Sequence, residues 1–83
     1  MNRPGSPEGS KNIIGERVAE LRKANKLSQR ALAGKLQLMN LDIDKNTITR
    51  IETGKRFVSD FEVKVFADFF GVSYDFLFDG NEG

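Results

Sequence analysis

Four times in this chain a serine or aspartate stands just ahead of a short stretch with helical apolar spacing: Ser28, Asp44, Ser59 and Ser73. Such a side chain accepts a hydrogen bond from a backbone N–H of the first helical turn, so each one marks a helix start. The starts lie 16, 15 and 14 residues apart. That spacing leaves room only for short helices joined by short loops, each relying on packing rather than on its own length for stability.

Each stretch supplies a buried stripe. The segment after Ser28 runs to about Leu36 and turns Leu32, Ala33 and Leu36 inward; Gly34 costs it about 1 kcal/mol of helix propensity relative to alanine. The segment after Asp44, about 45–53, has Ile48 and Ile51 for its core face, and Gly54 stops it. After Ser59 comes Asp60 and Glu62, with Ser59 and Glu62 at capping-box spacing. Val63, Phe66, Ala67 and Phe70 then recur as a core face up to Gly71, and Tyr74 to Phe78 follow Ser73, with Leu77 packing back. Ahead of these, Asn12 caps a first helix at about 13–24 with Ile14, Val18 and Leu21 buried. Glu16, Arg17 and Glu20 lie off that stripe in solvent, and Arg22 and Lys23 favour the helix dipole at its end. Asn25 is the expected left-handed residue of the next turn. Leu38, Leu41 and Ile43 are expected to tuck under the second and third helices.

The expected fold is therefore all-α, with five helices in one domain over residues 12–78. Residues 1–11 carry Pro4, Gly5, Pro7 and Gly9 with nothing to bury and read as a disordered segment, or alternatively as an arm offering Arg3 and Lys11. Residues 79–83 read as a frayed end.

The formal net charge of +1 hides a strong segregation. Residues 22–56 hold nine basic side chains against three acidic ones, a net of +6, whereas residues 57–83 hold one against six, a net of −5. A polyanion would meet the middle of the chain, with the acidic part turned away.

Once Ile48 and Ile51 face the core, the third helix is left with Lys45, Asn46, Thr47, Thr49, Arg50 and Thr53 outside. Lysine and arginine donate to guanine, asparagine pairs with adenine, and threonine meets a base edge or a thymine methyl. Lys45, Asn46, Thr47, Thr49 and Arg50 are the base-reading candidates. Gln29, just inside the second helix, joins free backbone N–H groups as a phosphate contact. Lys55 and Arg56, on the loop past Gly54, read as phosphate clamps. Glu52 is a carboxylate inside the positive region and calls for an internal salt bridge, with Arg30 or Arg56 as partner.

Aromatic residues crowd between Phe61 and Phe78, more than so small a domain can bury. Phe69, Tyr74, Phe76 and Phe78 are candidates for a homodimer interface, which would double the length of duplex read.

With no cysteine and no histidine, zinc-finger ligands and the usual general base near neutral pH are missing. Asp60, Glu62, Asp68, Asp75 and Asp79 are spread over caps and outer faces, so neither an enzyme nor a metal site is expected, and no cofactor. The N-terminus lacks the apolar stretch of a signal peptide, and no apolar run reaches membrane-span length. A cytoplasmic, nucleoid-associated protein is expected.

From Asn12 to Phe78 the chain resembles the Cro/cI-type helix-turn-helix regulators, the phage-repressor-like family also called XRE. The resemblance rests on Gly15-Glu16-Arg17, Leu21-Arg22-Lys23, Leu27-Ser28-Gln29 and Leu32-Ala33-Gly34-Lys35-Leu36. It continues through the run from Thr47 to Arg56 and closes with Phe70-Gly71-Val72-Ser73. It implies a five-helix lambda-repressor-like domain that binds a pseudo-palindromic operator as a homodimer and usually represses transcription, in a bacterium or phage. It also implies phosphate contact for Gln29, Lys55 and Arg56, and base contact for Lys45, Asn46, Thr47, Thr49 and Arg50. The chain departs from the pattern in a longer stretch between Leu36 and Thr47, as in a subset of the family, and in Lys26, where glycine is frequent. The alternative is an antitoxin or restriction-control protein that binds DNA and also a protein partner through its Phe-rich surface.

Overall fold

The computed structural model describes residues 9–80. Five helices follow one another: α1 (Gly15–Ala24), α2 (Gln29–Gln37), α3 (Lys45–Glu52), α4 (Asp60–Phe70) and α5 (Tyr74–Asp79), with no strand among the described residues. Residues 1–8 and 81–83, on which most of the disordered segment, Arg3 and most of the frayed end fall, lie outside the described residues.

The capping signals act as their chemistry requires. Ser28 accepts from the Ala31 N–H, Asp44 from Thr47 and Ser73 from Phe76. Ser59 accepts from the Glu62 N–H while the Glu62 carboxylate takes the Ser59 N–H, a complete capping box. Asn12 is not the cap expected: the N-cap of α1 is Ile14, without a side-chain cap bond, and the helix starts at Gly15 rather than about residue 13. The Asn12 Oδ1 accepts from the Ile14 and Gly15 N–H groups, while its amide nitrogen donates to the carbonyls of Ile51 (3.0 Å) and Arg56 (2.9 Å). One side chain thus ties the start of α1 to the end of α3.

At that junction Gly15 faces the Ile51 carbonyl so closely that a Cβ there would collide with backbone. Gly54 follows α3 with φ +75, a conformation that suits glycine, and its carbonyl accepts from the Lys11 N–H at 2.8 Å. The segment Gly9–Lys11 therefore lies along the loop after α3.

The core is formed by Ile14 and Val18 of the α1 region, Leu32, Ala33 and Leu36 of α2, and Ile48 and Ile51 of α3. Val63, Phe66 and Ala67 of α4 and Leu77 of α5 complete it. The stretch between α2 and α3 is packed through Leu41 and Ile43, with the Gln37 amide donating to the Ile43 carbonyl.

Further expectations are corrected. Leu38 is 85% exposed, because Asn40 (φ +67) reverses the chain and only Leu41 and Ile43 turn inward. Lys26 (φ +59), not Asn25 (φ −91), is the left-handed residue after α1; Asn25 instead is the C-cap of α1, its N–H bonding back to the Leu21 carbonyl. Arg17 is half-buried, with its guanidinium 5.3 Å from the Phe76 ring centre, because α5 packs against α1. Phe70 and Leu21 are half-buried against the core rather than part of it, with Phe70 set edge-on to Phe69.

Candidate nucleic-acid interface

The outer face of α3 is built by subtraction. Ile48 and Ile51 are fully buried against α1 and α2, which turns Lys45, Asn46 and Arg50 into solvent. Among the described residues, none of those three side chains makes a hydrogen bond or ion pair. Two cations and a carboxamide are thus exposed with their donors unspent. Thr47 is more constrained: both its N–H and its hydroxyl bond to the same Asp44 oxygen, at 2.8 Å each. Those bonds hold the Asp44 carboxyl below its ordinary pKa, the backbone bond foremost.

α3 is fixed by a chain of polar contacts across three helices. Arg22 of α1 meets Glu52 in a two-pronged pair, Nε to Oε2 at 2.6 Å and Nη2 to Oε1 at 3.0 Å, and its Nη1 donates to the Leu27 carbonyl. Glu52 Oε1 also accepts from the Gln29 amide (3.0 Å), whose own oxygen accepts from the Thr49 hydroxyl (2.8 Å). Hydrogen bonding to Glu52 raises the Arg22 pKa above its ordinary value against the opposing effect of burial. The partner expected for Glu52 is corrected accordingly: it is Arg22, not Arg30 or Arg56. Crossing of α1 beneath α3 brings residues 22 and 52 together, while Arg30 projects from the outer side of α2.

Arg30 is left exposed, and it lines one shallow depression with Gly34, Lys45 and Asn46 between α2 and the start of α3. It is an exposed cation beside Lys45 and Asn46, where the sequence pointed instead to a bond with Glu52. At the other end of α3, Lys11, Thr53, Gly54 and Lys55 line a second depression. Lys55 is exposed; Arg56 is not free as expected. Its guanidinium grips Glu62 with bonds of 3.0 and 3.1 Å. This pair braces the start of α4, since Glu62 is also the capping-box carboxylate. Burial pushes the Glu62 carboxyl up, but Arg56 and the Ser59 N–H together outweigh it and hold the pKa below its ordinary value.

The candidate interface residues in the C-terminal half are spread unevenly. Phe69, Phe76 and Phe78 are half-buried against the core or under Arg17, and Tyr74 is 49% exposed. More exposed than any of these are Phe57 and Phe61, each at 70%. Phe61, Val63, Tyr74 and Phe78 line an apolar groove edged by Asp60 and Lys64. No group of three acidic side chains that could hold a metal ion occurs among the described residues, and no described helix is long and apolar enough to cross a membrane.

A capped α2, a packed turn and an α3 that buries two isoleucines while baring a polar, basic face define a helix-turn-helix protein. The chain belongs to the helix-turn-helix domain family, which it matches over residues 13–75. No curated protein matches it, and no solved structure does. Membership of this family suggests a DNA-binding regulator.

Proposed function

We propose that this protein is a sequence-specific regulator of transcription that binds double-stranded DNA with α3 in the major groove. The single observation that carries the proposal is the α3 surface: Lys45, Asn46 and Arg50 exposed and unpaired on a helix whose orientation is locked from behind. Fixed donors on a rigid helix are what base discrimination needs, because each contact tells bases apart only if the helix cannot shift to spare it.

Thr47 and Thr49 join the base-reading set. Phosphate contact falls to Lys55, to Arg30, and to the second N–H of the Gln29 amide, whose first is taken by Glu52. Phosphate-facing cations then flank both ends of α3. The protein acts as a homodimer on an inverted repeat, pairing through the groove of Phe61, Tyr74 and Phe78, and as a repressor by occupying the site. The Cro/cI-type resemblance supports the last two points. The exposed aromatic groove also favours the partner-binding antitoxin or restriction-control alternative, in which a different protein covers that face.

The test is selection of bound duplexes from a random double-stranded pool at physiological salt, with the mass of the protein measured in solution. An enriched inverted repeat and a dimer mass support the proposal. No enrichment, with a monomer in solution, contradicts it and turns attention to a protein partner on the aromatic groove.

A further inference from the structure

We infer that Thr49 reads the base edge as a hydrogen-bond acceptor only, because its hydroxyl proton is held inside the protein by a chain of contacts that begins at Arg22. The inference rests on the assignment of α3 as the DNA-reading helix. A threonine hydroxyl ordinarily carries one proton and two lone pairs and can serve a base as donor or acceptor. Here its polarity is imposed.

A guanidinium can only donate, and the ionised carboxylate it meets can only accept. Glu52, spent on Arg22 at 2.6 and 3.0 Å, therefore requires the nitrogen end of the Gln29 amide at the 3.0 Å contact to its Oε1. That choice fixes the amide flip and turns the Gln29 carbonyl oxygen toward Thr49. A carbonyl oxygen only accepts, so at 2.8 Å the Thr49 hydroxyl must give it the proton. The other acceptor within reach of that proton, the Lys45 carbonyl at 3.1 Å, is also protein backbone. In either rotamer the proton points back into the chain, and what remains for a ligand is a lone pair.

The consequence is a specificity rule. In the major groove the donors are the exocyclic amino groups, adenine N6 and cytosine N4; guanine O6 and N7, thymine O4 and adenine N7 are acceptors. Thr49 accepts from an amino group and has nothing to give a carbonyl or ring nitrogen. Arg22, Glu52 and Gln29 are positioning residues in this scheme, since they act on the base only through Thr49.

The test compares the native chain with Thr49→Val and Thr49→Ser on the duplex that the native chain enriches from a random pool. The base pair whose preference Thr49→Val abolishes is located first. At that pair adenine is replaced by purine, or cytosine by pyrimidin-2-one, to delete the amino group. Separately, the purine is replaced by its 7-deaza form to delete N7, or guanine by 2-aminopurine to delete O6. Comparison with Thr49→Val cancels any loss of base pairing. Deleting the amino group is expected to weaken the native chain and Thr49→Ser about three- to ten-fold more than Thr49→Val, the range of one net hydrogen bond. Deleting an acceptor is expected to affect all three alike. An acceptor deletion felt by the native chain but not by Thr49→Val would overturn the inference, as would a selection unchanged by Thr49→Val. Those results leave the regulator reading standing; failure of the native chain to enrich any sequence removes both. Should Thr49→Val not fold, Thr49→Ala takes its place in the same comparison.

Discussion

Arg22 and Glu52 lie thirty residues apart in the chain and meet in a two-pronged ion pair whose side chains are only 11% and 7% exposed. The pair joins the last turn of α1 to the last residue of α3. Around it gather the Leu27 carbonyl, Gln29 and, through Gln29, Thr49, so every polar atom of the pair has a partner.

Breaking this pair from one side leaves a charge in a largely dry place. Glu52→Ala is expected to destabilise the fold by about 3 kcal/mol, the range for an uncompensated buried ion. Replacing both ends together, Arg22→Met with Glu52→Met, is expected to lose clearly less than the two single losses combined. Urea unfolding of the four proteins in a double-mutant cycle measures the coupling, and additive losses would mean that the pair contributes nothing as a pair.

The same substitution at two glycines is expected to act in opposite directions. At Gly15 a Cβ would run into the Ile51 carbonyl, so Gly15→Ala should cost about 2 kcal/mol or more and disturb the α1–α3 junction, an overpacking penalty. At Gly34, exposed in α2 with no atom near the added carbon, Gly34→Ala should stabilise by about 0.5–1 kcal/mol through helix propensity. Thermal unfolding of the two variants checks both signs.

Stability should fall in acid through Glu62. Its folded pKa lies below the ordinary 4.5, so its contribution is complete above that value. As the pH drops below about 4.5 the unfolded chain binds the proton first, and stability declines until the folded carboxyl has titrated too. Asp44, depressed below 3.8 by its bonds to Thr47, adds to the decline further down. Unfolding measured between neutral and acidic pH should show a shallower slope in Glu62→Gln than in the native chain.

Contacts at α3 should separate by kind. Asn46→Ala and Arg50→Ala are expected to relax preference at particular base pairs, at about 1–3 kcal/mol each. Lys55→Ala should weaken all duplexes alike and reduce the salt slope by about one. Arg56→Gln should lower stability by loosening the start of α4, with little effect on the salt slope. Titrations of specific and random duplex at several salt concentrations distinguish these outcomes.

The helix starts were legible because a cap is a local event: Ser28, Asp44, Ser59 and Ser73 each bond to a backbone group three residues on, which short-range spacing reveals. The buried faces of α2 and α3 were legible for the same reason. Ile48 and Ile51 had to point inward, and the exposed polar face of α3 followed by exclusion. What escaped depended on how helices cross. Arg22 in the last turn of a helix looks like a dipole partner until α1 is seen to lie beneath α3. Arg56 beside Lys55 looks like half of a clamp until α4 presents Glu62. Lys26 shows that the closing residue of a tight turn is set by the two helices it joins, since asparagine next to it has the better local preference. Chain order carries none of these long-range approaches. It is the cations, whose long side chains reach across elements, that were assigned least well.

Contact between the outer face of α3 and DNA is tested most directly by titrating the isotope-labelled protein with its selected duplex and following backbone and side-chain amide resonances. The largest shifts are predicted to fall on Lys45, Asn46, Thr49 and Arg50, with Gln29 and Lys55 beside them, while the groove of Phe61, Tyr74 and Phe78 stays unperturbed. Shifts centred on that aromatic groove, with α3 silent, would contradict it.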